Sequence, residues 1–242
     1  GDTLRSSSEV IGLKENSSRT SGVVYVRTRG TNQRGEIVMD YVRWVMVRKR
    51  DAEAAAPETV VPELKRALTV ADLAIPAGLT FAKYDFAQAG EPHRLGDYAV
   101  GEVIDHVDGV TIEEAEHMMA TRLWQNTAKV HFDATFREDG RRLIYGGHVI
   151  SMARALSFNG LANAQMIVGL NGGAHANPCF SGDTVRAWSE VLDTAEASAP
   201  NVGAIRLRLV ATKGAAGALK NAEGKYLPEV LLDLDYWALM PI

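Results

Sequence analysis

The chemistry this chain could do turns first on His131, because imidazole exchanges a proton near neutral pH without help from its surroundings. It stands in the polar run Gln125-Asn126-Thr127-Ala128-Lys129-Val130-His131-Phe132-Asp133, with an amide, Asn126, five residues before it and a carboxylate, Asp133, two residues after. A histidine in such a run is a candidate general base, although many single histidines only support structure. Further along, Gly146-Gly147-His148 opens a stretch in which Val149, Ile150, Met152, Ala153, Ala155, Leu156 and Phe158 leave only Arg154 charged. Such a stretch predicts a helix from His148 to about Asn159, apolar almost all round and therefore buried. The first N–H groups of a helix lack intrahelical partners and sit at the positive end of its dipole. Glycine at that end lets a ligand reach the backbone, so Gly146 and Gly147 could hold a thioester or enolate oxygen in an oxyanion hole. The same glycines would equally suit a flexible loop.

Arg122, Lys129 and Arg154 flank these residues, each able to pair with a carboxylate or phosphate or to stand as an ordinary surface charge. Glu114 and His117 have the spacing of half a di-iron ligand set, but no second such pair exists and a surface charge cluster explains them. His106 and His175 are expected in loops, without metal partners at useful spacing. Dinucleotide, phosphate-loop and serine-elbow signatures are absent, which disfavours those enzyme classes.

The elements that must carry these residues begin with an internal repeat. The string beginning Gly1-Asp2-Thr3 matches the one beginning Gly182-Asp183-Thr184 at seven of ten positions, at an offset of 181. The same offset pairs Gly22 with Gly203 and Arg27 with Arg208. Asp40 and Trp44 pair with Asp233 and Trp237 at 193, since the second copy carries 12 more residues near Gly214 to Gly224. Each copy predicts three long antiparallel strands, in the first at 2–12, 22–29 and 36–48. Residues 51–94 read as a linker, rich in Ala, Pro and mixed charge at first. In the second copy a capping box from Thr111 to Glu114 predicts a short helix to about Trp124, followed by the buried one. Strands wrapped round a buried helix define an α+β architecture.

The 87 residues from Leu95 up to Gly182 have no counterpart in the first copy. The expectation is a first half, 1–50, without its helix, and a complete second half, 95–242, with the missing piece disordered, cleaved or on a separate chain. Consistent with that, the chain opens on Gly1 rather than Met with no signal-like segment. Lys+Arg at 26 against Asp+Glu at 30 leaves a net charge of −4 and no basic footprint for nucleic acid. The uncharged stretch between Arg154 and Asp183 carries several Asn and Gln, so no membrane span is expected. One cysteine, Cys179, suits a reducing compartment, and cytoplasm is the expected location.

The strings Leu95-Gly96-Asp97-Tyr98-Ala99-Val100-Gly101-Glu102, Val110-Thr111-Ile112-Glu113, Asn126 through His131, Tyr145-Gly146-Gly147-His148 and Gly182-Asp183-Thr184-Val185, in that order, resemble the MaoC-like dehydratases, the hydratase 2 group of hot-dog proteins. The longer strings 111–132, 145–165 and 41–51 are similar to a double hot-dog branch whose thioester substrate carries a second, free carboxylate. The resemblance implies a double hot-dog fold and reversible addition of water to a 2-enoyl-CoA thioester, with neither metal nor redox cofactor. It also implies an acyl-CoA as the small-molecule partner and a homo-oligomer, in the simplest case a dimer. In the wider family an aspartate and a histidine five residues apart activate the water; His131 matches the histidine, and Asn126 stands where the aspartate would be. An amide orients water but accepts no proton from it. The roles implied are His131 as base, Asn126 as water positioner, the Gly147 N–H as oxyanion donor, Asp133 as a second acid, and Arg122, Lys129 or Arg154 as reader of the carboxylate. Gly146 and His148 border the substrate, His148 as packing. A hot-dog thioesterase and a non-catalytic CoA-binding scaffold are the alternative readings.

Overall fold

Runs rich in β-branched and aromatic side chains give both copies of the repeat their strands. The computed structural model describes every residue except Ala216 and falls into two units, Gly1–Lys65 and Arg66–Ile242. The first unit is an antiparallel sheet in the order β1 (Arg5–Glu15), β2 (Ser21–Thr31), β3 (Ile37–Arg48), and its described residues contain no helix. The Asn32 side-chain oxygen accepts from the N–H groups of Arg34 (3.0 Å) and Glu36 (3.1 Å), which closes the turn between β2 and β3. After β3 the chain returns to pair Val60 with Leu13 on the outer edge of β1.

The second unit runs α1 (Phe86–Ala89), β4 (Val103–Thr111), α2 (Glu114–Leu123), α3 (Lys129–Phe132), α4 (Gly146–Leu156), α5 (Phe158–Leu161), β5 (Met166–His175), β6 (Thr184–Glu196), β7 (Val202–Thr212) and β8 (Val230–Pro241). Its five strands pair antiparallel in the order β4-β6-β7-β8-β5. The repeat is visible in the registers. Arg5 pairs with Thr31 as Arg186 pairs with Thr212, and the register shifts between Val10 and Gly12 as it does between Val191 and Asp193. Arg29 pairs with Asp40 as Val210 pairs with Asp233. The Arg27 guanidinium grips Asp40 through two nitrogens at 2.9 and 2.6 Å, and Arg208 grips Asp233 in the same way at 2.8 and 2.7 Å.

One face of the second sheet meets α4. Val149 and Ala153, one turn apart on that helix, pack into a core with Val185, Ala187, Val191, Ile205, Leu207 and Leu209. The expected all-round burial of this helix does not hold: Ser151 and Ala155 on its other side are exposed, because one sheet covers one side of a helix. The helix also starts two residues earlier than expected, at Gly146, and ends at Leu156, with Gly160 at φ 90° breaking the chain's helical course beyond it.

The other sheet face is apolar too, since Ala204 and Ile205 alternate to opposite sides of β7. It is covered by residues expected to be linker. From Arg66 onward the stretch 51–94 belongs to the second unit, where Leu68, Leu73, Ile75, Leu79 and Phe81 pack over Val202, Ala204, Trp237 and Leu239. The Leu68 N–H donates to Asn171 (2.7 Å), and Trp237 Nε1 donates to the Leu68 carbonyl (3.0 Å). Thr111 is likewise not a helix cap. It ends β4 with its hydroxyl 2.8 Å from that of Thr184, and Glu113 caps α2 instead, its N–H donating to Glu116 at 3.3 Å. Among the described residues no helix is long and apolar enough to cross a membrane.

Candidate active site

The site forms where residues 142–145 cross two helices. Glu114 and His117, three residues apart and so on one face of α2, hold that segment: Glu114 ion-pairs with Arg142, and His117 Nε2 accepts from the Tyr145 N–H at 3.1 Å. Between these two anchors, Leu143 ties the segment to α3. Its N–H donates to Val130 (3.0 Å) and its carbonyl accepts from His131 Nδ1 (2.8 Å). A carbonyl only accepts, so the proton of neutral His131 sits on Nδ1 and the lone pair of Nε2 is left to act as a base.

His117 is 1% exposed, and burial pushes its imidazole down to about 4, helped by His148 and His131 nearby. It is therefore neutral at physiological pH, and as Nε2 accepts, Nδ1 carries its proton. His148 is buried on α4 with Nε2 3.2 Å from a Glu116 oxygen. Tyr145 sits among three imidazoles, with ring centroids 6.0 Å from His117, 6.2 Å from His131 and 6.3 Å from His148.

Two glycines follow because no side chain fits there. A Cβ on Gly146 would overlap the His175 ring, and one on Gly147 would overlap the ring of Tyr145. The N–H groups of His148 and Val149 both reach the Tyr145 carbonyl, at 3.0 and 3.4 Å. Those of Gly146 and Gly147 donate to no group among the described residues and mark the positive end of α4. An oxygen acquiring negative charge would be stabilised there.

Asn126 lies at the bend between α2 and α3, just after Gln125, whose φ of 52° is a conformation that L side chains seldom adopt. Its side-chain oxygen accepts from the Ala128 N–H (3.1 Å), leaving the amide N–H groups as its free polar atoms. The Asp133 carboxylate accepts from the N–H (3.0 Å) and hydroxyl (2.6 Å) of Thr135, which holds its pKa below the ordinary carboxylate value. Such a group stays ionised at neutral pH, a poor match to the role of second acid.

Of the three cations, Arg122 is exposed in the last turn of α2 and Lys129 is exposed on α3, two residues before His131. Arg154 lies two turns along α4 from the glycines, where its guanidinium donates to Ser157 (2.5 Å) and to the Ala164 carbonyl. Arg142, not singled out by its sequence context, lies on the crossing segment next to Leu143; its guanidinium pairs with Glu114, and its buried Nε finds no partner among the described residues. His117 is no surface charge, and His175 is no loop residue but the end of β5 against Gly146. The helical spacing of Glu114 and His117 was the available signal for the first, and the adjacent glycines for the second. His106 is also no loop histidine; fully buried on β4, it bridges the Asn159 carbonyl (2.7 Å) and the Ser189 hydroxyl (2.8 Å). The described residues hold no group of three or more His, Cys, Asp or Glu arranged for a metal.

An antiparallel sheet packed on one helix is the hot-dog arrangement on which MaoC-like dehydratases are built. Overall similarity agrees with the local geometry. A family model described as mesaconyl-CoA hydratase matches residues 1–218. The chain is 73% identical over 243 residues to the mesaconyl-CoA hydratase of Cereibacter sphaeroides, covering 100% of this chain and 71% of that protein. It is 55% identical over 250 residues to the β-methylmalyl-CoA dehydratase of Chloroflexus aurantiacus, covering 100% of this chain and 70% of that one. A solved MaoC domain dehydratase from Chloroflexus aurantiacus superposes with a TM-score of 0.94 at 54% identity, over 100% of this chain and 71% of that one. A Mycobacterium tuberculosis protein described as a double hotdog gives 0.68 at 26% identity, over 99% and 70%. The chain belongs to the mesaconyl-CoA hydratase family.

Proposed function

We propose that the chain catalyses reversible hydration of mesaconyl-CoA to β-methylmalyl-CoA. The observation that carries this reading is His131, whose Nδ1–H is fixed on Leu143, with its ring 6.2 Å from that of Tyr145, the residue from which α4 and its unpartnered N–H groups start. Water is oriented by the Asn126 amide and loses a proton to His131 Nε2 as its oxygen adds to C3 of the unsaturated thioester. The π electrons move toward the thioester carbonyl, whose oxygen becomes enolate-like and is held by the Gly147 N–H. The imidazolium then returns its proton to C2. A donor in such a place contributes about 2.7 to 4 kcal/mol to catalysis. Net addition of water transfers no electrons, so the proposed reaction calls for no redox cofactor.

The substrate has a free carboxylate on the carbon that water attacks, and a cation beside His131 answers it. Lys129 and Arg122 lie on the helices around the site and Arg142 on the segment that crosses them, where it pairs with Glu114, whereas the Arg154 guanidinium is engaged at the far end of α4. The repeated registers and ion pairs support residues 1–50 as strands of a first hot-dog whose helix these residues do not include. Incubation with mesaconyl-CoA tests the reading. Loss of the 2-enoyl thioester absorbance with the thioester bond intact supports it; release of free CoA would make the protein a thioesterase, and no change would leave a binding protein.

A further inference from the structure

We infer that the Tyr145 hydroxyl is a third donor to the enolate oxygen, beside the N–H groups of Gly146 and Gly147. The inference rests on the hydration reading and adds a side chain to it. Tyr145 is the residue on which α4 starts, so its side chain leaves the same turn that presents those N–H groups. Its ring lies against Gly147, and a Cβ built there would stand 3.1 Å from Cζ, the atom that bears the hydroxyl. The ring also meets that of His131 nearly edge-on, at 68°. The Cζ end of the ring, which carries the hydroxyl, therefore lies close to Gly147 at the helix N-terminus, with the ring centroid 6.2 Å from that of His131. Three imidazoles and the His117 bond to its own backbone fix the residue, so little reorganisation is needed when charge develops.

Two further facts suit a donor. The hydroxyl makes no hydrogen bond to any described residue, which leaves it available to a ligand. Burial raises the phenol above its ordinary pKa, so it keeps its proton throughout the neutral range. No proton is transferred from it; the hydrogen bond strengthens as the carbonyl oxygen gains charge and relaxes when C2 is protonated.

The test is Tyr145→Phe, which keeps the ring against Gly147 and removes only the hydroxyl. Loss of roughly 10²- to 10³-fold in kcat with KM little changed is expected for removal of one such donor. Unchanged kcat, or a rise in KM with kcat kept, would overturn the inference while leaving the hydratase reading intact. Failure of the unmodified protein to hydrate mesaconyl-CoA would instead remove the reading itself. Should the Phe variant fold poorly, 3,5-difluorotyrosine at position 145 gives the second measurement. Acidifying the phenol should move the alkaline loss of activity toward neutral pH, and an unmoved alkaline limb would equally overturn the assignment.

Discussion

Replacing His117 by Gln should remove much of the acid sensitivity of this fold. The neutral imidazole is 1% exposed and accepts the Tyr145 N–H, so a proton on Nε2 would turn a good hydrogen bond into two donors facing each other inside the protein. In the unfolded chain a histidine titrates near about 6.5, whereas in the fold burial holds His117 at about 4. The unfolded state therefore binds the proton first. Stability from this residue is full above the unfolded value, declines as pH falls through the interval, and is gone below the folded one. Each unit of difference is worth about 1.36 kcal/mol, so the whole interval amounts to about 3 kcal/mol. Glu116, His148 and His131 surround the imidazole and set the rest of its field. Gln at this position keeps an oxygen able to accept from Tyr145 but does not titrate. Urea unfolding of both proteins at steps between neutral pH and pH about 4 should show the parent losing about 3 kcal/mol more than the variant. His106, also buried and lowered, contributes equally to both and cancels. Parallel curves for the two proteins would refute the account of His117 as a buried neutral acceptor.

His131→Gln keeps a polar side chain but removes the proposed base, and turnover of mesaconyl-CoA should fall by about 10² to 10⁴ in a spectrophotometric assay; near-normal turnover would place the base elsewhere. Asn126→Asp restores a carboxylate to the position before α3 and should retain activity while adding an acidic limb to the pH–rate profile, which a role purely in backbone shape would not produce. Gly146→Ala forces a methyl group into the His175 ring and should cost about 1 to 3 kcal/mol by thermal melting, with much of the loss recovered by His175→Ala in the same chain. Replacing Lys129, Arg122 or Arg142 singly by Met should, for the residue that reads the free carboxylate, weaken mesaconyl-CoA roughly ten- to a hundredfold relative to crotonyl-CoA in KM measurements; equal effects on both thioesters at all three positions would take them out of substrate choice.

Much of this protein was legible in its residues alone. A match of seven positions in ten at one offset is enough to announce two copies of one sheet, and the structure shows the equivalent residues making the same contact in each, Arg27 with Asp40 and Arg208 with Asp233. Gly146-Gly147 before an apolar run likewise announces a helix whose start must stay open, since the first N–H groups of any helix lack partners. Tertiary structure decided what no local pattern contains. His117 looked like one charge among several on α2, and only the crossing of residues 142–145 over that helix buries it against Tyr145. Arg154 is near Gly147 in the chain, yet two turns of helix carry it to the other end of α4, where Ala164 and Ser157 claim its guanidinium. Residues 66–81 read as linker because their apolar side chains follow no sustained period; they are held by Trp237, which bonds Leu68 from 169 residues away and whose side of the sheet is apolar because β7 alternates between two buried faces. Contacts between segments so distant in the chain depend on how the sheet closes, and their partners are named nowhere in either segment.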